Sequence, residues 1–148
     1  MNAEIQVLLV EDEAPLKRSL EKYFERAGYA FECCSTAREA LLLAERLDPD
    51  IVITEYHLPD ANGAVLLEKL IRFVPKAAAI LLSEYDFETV AKDLAHVAVW
   101  SFLKKPFDLV EWENALSSAH SKAELALVDN TEVEWKLAVN GRPVSIST

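Results

Sequence analysis

The sequence predicts an α/β domain: a doubly wound, five-stranded parallel sheet with five helices, followed by a C-terminal β-hairpin tail. Three observations predict it. Five apolar runs of strand length recur along the first hundred or so residues with little polar alternation, as expected of strands covered on both faces. Between them lie segments whose apolar residues recur at helical spacing. From Asn130 onward the pattern changes to strict alternation, the period of a half-buried strand.

Residues 5–10 form the first predicted strand, which ends in Glu11-Asp12-Glu13. Pro15 suits the first turn of a helix. Leu16, Leu20, Tyr23, Phe24 and Ala27 give that helix its apolar stripe, and Gly28 its stop. Residues 29–34 are the second strand. Thr36 and Glu39 then make a capping-box signature ahead of Ala40, Leu43, Ala44 and Leu47. The third strand runs through Ile51, Val52 and Ile53 to Glu55 and breaks at Pro59, Asn62 and Gly63. A helix from about Ala64 buries Leu66, Leu67, Leu70 and Ile71. Residues 78–82 form the fourth strand, closing on Ser83, and Phe87, Val90, Ala91 and Leu94 mark the fourth helix. Residues 97–103 form the fifth strand, closing on Lys104-Lys105-Pro106, and residues 109–127 the last helix, with Trp112 in the core. In the tail, Val133, Trp135, Leu137 and Val139 alternate with polar residues, and Asn140-Gly141 is a strong hairpin turn signal. A lone hairpin is marginal in water and needs a neighbour.

With 148 residues, 51% of them hydrophobic, the chain is long enough for one domain with a proper core and a short appendage. Its net charge of -10 disfavours nucleic acid and anionic membrane, which call for clustered Lys and Arg. No apolar segment reaches membrane-spanning length, and Met1-Asn2-Ala3-Glu4 leads into no secretory leader, so a cytoplasmic protein is expected. Cys33 and Cys34 are the two cysteines and are adjacent, which reads as two small strand residues in a reducing compartment.

The strand ends carry the chemistry. Glu11 and Asp12 follow the first strand, Glu55 the third, Ser83 the fourth and Lys105 the fifth. In a doubly wound sheet these converge on one edge. Carboxylates gather a hard cation such as magnesium. The cation, a hydroxyl and an ammonium together neutralise a phosphoryl group, and a carboxylate nucleophile there forms an acyl phosphate. The first strand opens onto acids rather than a glycine-rich loop, and the chain holds only three glycines, which argues against a nucleotide-binding enzyme.

From about Ile5 to Ser121 the chain resembles a response-regulator receiver domain. The likeness rests on Leu9-Val10-Glu11-Asp12-Glu13, the loop from Glu55 through Leu58-Pro59 to Asn62-Gly63, Ser83, and Phe102-Leu103-Lys104-Lys105-Pro106-Phe107. Their order and spacing are more specific than any one of them: 83 − 55 = 28 and 105 − 83 = 22 residues. The resemblance implies the flavodoxin-like fold and a signalling role in two-component phosphorelays. It assigns Glu11 and Asp12 to a magnesium site, with Glu55 and the backbone carbonyl of His57 completing it. Glu55 takes the phosphoacceptor position, Ser83 and Lys105 are phosphoryl-site partners, and Phe102 is the switch aromatic. It also implies a cis bond between Lys105 and Pro106.

Two residues depart from the family pattern. Glu55 stands where the family has aspartate. Its extra methylene carries the carboxylate further, and misplacing an in-line nucleophile by ~1 Å can cost roughly a hundredfold. Glu84 follows Ser83 where the family usually has a small residue. The expectation is therefore an atypical receiver that performs no turnover. It acts through contacts with a sensor histidine kinase or other signalling protein, and Glu55 mimics a constitutive state. The alternatives are a working phosphoacceptor receiver and the receiver part of a truncated winged-helix transcription regulator. Residues 1–121 are read as the receiver, 122–129 as the end of the last helix with a linker, and 130–148 as the hairpin tail. That tail loosely resembles the small sheet opening a winged-helix domain; no groove-reading helix follows it within the sequence, so no direct nucleic acid binding is expected. The fourth helix, fifth strand and fifth helix offer a face for a homodimer.

Overall fold

The computed structural model describes residues 4–128, 135–139 and 142–146. Five strands, β1 (Gln6–Val10), β2 (Ala30–Cys34), β3 (Ile51–Glu55), β4 (Ala78–Ser83) and β5 (Ser101–Lys104), form one parallel sheet in the order β2-β1-β3-β4-β5. The order reverses direction at β1 and β3, the switch point where doubly wound sheets open a crevice. Helices α1 (Ala14–Ala27), α2 (Ala37–Leu47), α3 (Gly63–Phe73), α4 (Phe87–Val90) and α5 (Leu109–Val128) cover the two faces.

Alternate strand residues serve two separate cores. Val7, Leu9, Ile53 and Ile80 face one way, against Phe24 of α1 and Trp112 and Leu116 of α5. Leu8, Val10, Val52 and Leu81 face the other, against Ala40 and Ala44 of α2 and Leu66 and Leu70 of α3. A strand buried on both faces leaves little room for polar residues, hence the long apolar runs; Thr54, buried in β3, donates its hydroxyl to the Glu55 carbonyl.

Local signals set the helix ends. Gly28 takes the left-handed conformation (φ 82°) after α1, and its N–H donates to the Glu25 carbonyl. Thr36 accepts from the Glu39 N–H at 3.1 Å, one half of a capping box at the head of α2, and its hydroxyl donates to Glu39 Oε1 at 3.0 Å. Asn62 caps α3 by accepting from the Val65 N–H at 3.0 Å.

Two elements are shorter than the sequence predicts. The fourth helix makes one α-turn, Phe87–Val90, then tightens into a 3-10 turn, Ala91–Leu94. Its apolar residues pair at a spacing of three, 87 with 90 and 91 with 94, which fits three residues per turn as well as 3.6. The fifth strand begins at Ser101 rather than residue 97. β4 pairs Ile80 with Ser101, and in that register residues 97 and 98 would face 76 and 77, ahead of the start of β4. The Lys105–Pro106 bond is cis. In the tail, β6 (Trp135–Val139) and β7 (Arg142–Ile146) pair antiparallel as the hairpin predicts. The Asn140-Gly141 turn lies outside the described residues.

Candidate functional site

The carboxyl edge of the sheet assembles the strand-end residues. Glu11 continues β1 by donating its N–H to the Cys34 carbonyl at 3.0 Å. The Tyr56 N–H reaches the Leu82 carbonyl at 2.7 Å, and the Lys105 N–H the Ser83 carbonyl at 2.7 Å. These ladder bonds run past the strand ends and hold Glu11, Glu55, Ser83 and Lys105 at one rim. Glu11, Glu55 and Ser83 are all buried there.

The Lys105 ammonium is the centre of the site. It lies 2.7 Å from Glu11 Oε1, in contact with Glu55 Oε2, and 3.6 Å from Glu13 Oε2. Each buried carboxylate spends its other oxygen on backbone. Glu11 Oε2 accepts from the Glu13 N–H, and Glu55 Oε1 from the His57 N–H, both at 3.1 Å. Burial pushes the Glu11 carboxyl above the usual range, more than the hydrogen bond from Lys105 lowers it. Burial alone would pull the Lys105 ammonium down, but its bonds to Glu11 and Glu55 hold it above the ordinary lysine value of 10.5.

Around this cluster opens a cleft of about 320 Å³, lined by Asp12, Glu13, Glu55, His57, Glu84, Tyr85 and Lys105. Four carboxylates and one ammonium give its wall a strongly negative field. Asp12 and His57 are exposed at the cleft. Ser83 sits deeper, its Oγ accepting from the Tyr85 N–H at 2.9 Å. Phe102 is half-buried and meets Phe87 of α4 edge to face, ring centroids 5.5 Å apart.

The four residues that the resemblance implies for magnesium fall into two groups. Glu11 and Glu55 converge on Lys105, while the Asp12 side chain is exposed; the donor implied at His57 is its backbone carbonyl. Among the described residues no three His, Cys, Asp or Glu side chains gather in a form that would hold a metal ion. As arranged, Glu11 and Glu55 both face the Lys105 ammonium.

Four contacts at the site were not foreseen from the sequence. Glu13 joins the Lys105 cluster. The Tyr56 hydroxyl donates to Asp93 Oδ2 in the turn after α4, and its ring meets Tyr85 at 6.0 Å. Asp60 accepts from the N–H groups of Ala37 and Arg38 at 2.9 and 3.0 Å, tying the loop after Glu55 to the head of α2. Gly63 packs directly on the Glu55 backbone. The acidic run Glu11-Asp12-Glu13 was a signal for Glu13. The partners of Tyr56 and Asp60 are distant in sequence and left no such trace.

Residues 7–117 match the model of the response regulator receiver domain. The regulatory protein AtoC of Escherichia coli K12 is 28% identical over 111 residues, 75% of this chain and 24% of that protein. The sensor kinase CckA of Brucella abortus is 32% identical over 111 residues, 74% of this chain and 12% of that protein. The chain thus spans a quarter or less of the length of these two relatives. Among solved structures, the signal receiver domain of an HD domain-containing protein from Pseudomonas fluorescens Pf-5 superposes with a TM-score of 0.77 at 27% identity, covering 83% of this chain and 99% of that one. A five-stranded sheet in the order 2-1-3-4-5, with acids, a serine and a lysine gathered at its carboxyl edge, agrees with that match: the chain belongs to the response-regulator receiver domain family.

Proposed function

We propose that this receiver domain signals by protein contact in a standing state fixed by Glu55, without passing a phosphoryl group. The observation that carries the reading is the ion pair between Glu55 and Lys105. A phosphoacceptor carboxylate must be free to attack in line. Here both oxygens of Glu55 are engaged, one by the Lys105 ammonium and one by the His57 N–H. Glu84 at the cleft supports the same reading, since a further anion there repels an anionic donor.

In this reading Glu11, Lys105 and Glu55 set the charge of the site. Ser83 and Phe102 keep the positions of the family's hydroxyl and switch aromatic. The partner is a sensor histidine kinase or another signalling protein, residues 1–121 act as the receiver, and the hairpin tail is an appendage to it. The test is intact mass after incubation with a small phosphodonor and magnesium, on wild type and Glu55→Asp side by side. A phosphoryl gain in the aspartate variant alone is the expected result. A wild type that gains the same mass overturns the reading.

A further inference from the structure

The pocket that receiver relatives use for a divalent cation is, in this chain, already neutralised from within. Glu11 gives Oε1 to Lys105 Nζ at 2.7 Å and Oε2 to the Glu13 N–H at 3.1 Å. Glu55 gives Oε2 to the same ammonium and Oε1 to the His57 N–H at 3.1 Å. Each of the four oxygens of the two buried carboxylates thus faces either the ammonium or one backbone N–H. The side chain of Lys105 is itself only 10% exposed, so the ammonium has little room to swing away.

A magnesium ion would need oxygens at about 2.0–2.1 Å in near-octahedral order, several of them from water. To gain Glu11 and Glu55 it would have to evict the ammonium or share the same oxygens with it at close range. Two cations held there repel strongly, because burial leaves little solvent to screen them. The remaining acid the family pattern offers, Asp12, is exposed and makes no ion pair or side-chain hydrogen bond among the described residues. One exposed carboxylate is a poor magnesium site.

We infer that Lys105 is the resident counter-ion of this pocket, and that the Glu11–Lys105–Glu55 cluster keeps divalent cations out. The extra methylene of Glu55 is what carries its carboxylate onto the ammonium. An aspartate there is one methylene shorter and holds the ammonium less closely. The inference rests on the proposed reading of Glu55 as a standing ion pair, and it extends that reading from the phosphoryl group to the cation.

Manganese(II) is the probe, since carboxylate, carbonyl and water ligands accept it as they do magnesium. Free manganese is followed by its electron paramagnetic resonance signal while wild type and Glu55→Asp are titrated, with no phosphodonor present. The expected result is binding about tenfold or more tighter in Glu55→Asp than in wild type, equivalent to about 1.4 kcal/mol. Equal binding by the two proteins, or no binding by either, overturns the inference. A wild type that binds manganese as tightly as Glu55→Asp yet stays unphosphorylated sinks this inference alone. A wild type that accepts a phosphoryl group while excluding manganese sinks the silent-receiver reading alone.

Discussion

A Cβ on Gly63 would fall 2.3 Å from the carbonyl oxygen of Glu55. The head of α3 is thereby pressed onto the end of β3, and the Gly63 N–H donates to the Tyr56 carbonyl at 2.6 Å. Both sides of this contact are backbone, so neither can turn aside as a flexible side chain would. Gly63→Ala is expected to lower stability by about 1–3 kcal/mol. An unchanged urea midpoint would show that α3 can shift freely.

Lys105→Met leaves Glu11 and Glu55 buried with no cation between them. Removing one partner of a buried charge cluster costs about 3–5 kcal/mol. Adding Glu55→Gln to the same chain should return part of that loss, because one of the two stranded charges is gone. Chemical denaturation at neutral pH of the single and double variants measures both terms. Full additivity would mean that the two side chains do not interact.

The same cluster sets a pH limit on the alkaline side. The fold raises the Lys105 ammonium above 10.5. Its contribution to stability is therefore complete below that value and is lost as pH rises through the higher folded one. Urea midpoints taken from roughly pH 9 to 12 should fall more steeply for wild type than for Lys105→Met. Parallel curves would remove Lys105 from the account.

The Tyr56 phenol is pushed up to about 12, first by its hydrogen bond to Asp93 and then by partial burial. In Asp93→Asn, absorbance of the tyrosinate should appear at lower pH. Amide exchange over residues 87–94 should quicken, since the bond is one of the ties holding that short segment. Exchange that stays as slow as in wild type would show that the Phe87–Phe102 contact holds the segment alone.

Burial raises both cysteine thiols to about 12. The thiolate is the reactive form, so neither should alkylate at neutral pH in the folded protein. Both should react fully in denaturant. Rapid labelling of Cys33 under native conditions would contradict its packing on β2.

The sheet was legible because its three central strands, β1, β3 and β4, are largely apolar on both faces, as a parallel sheet between two helical layers asks. The site residues were legible because a parallel sheet delivers every strand end to the same rim, so Glu11, Glu55, Ser83 and Lys105 could be gathered by topology alone. The length of the fourth helix was not legible. Its apolar spacing suits two helical pitches, and the choice depends on packing against Tyr56 and Phe102. The start of β5 was hidden for a similar reason: residues 97 and 98 have no β4 residue to pair with, a fact recorded in residues 76–80 rather than in residues 97–101. The Asp60 link to α2 depends on a loop path that no local pattern encodes.

That link has a mechanical consequence. The seven-residue span from Tyr56 to Asn62 is riveted at its far end, where Asp60 grips two amides of α2 and Asn62 caps α3. At its near end the Tyr56 N–H and carbonyl are bonded to Leu82 and Gly63, and the Tyr56 hydroxyl reaches out to Asp93. The span is thus tied at both ends, and the Tyr56 hydroxyl is the side-chain link from it to the turn after α4.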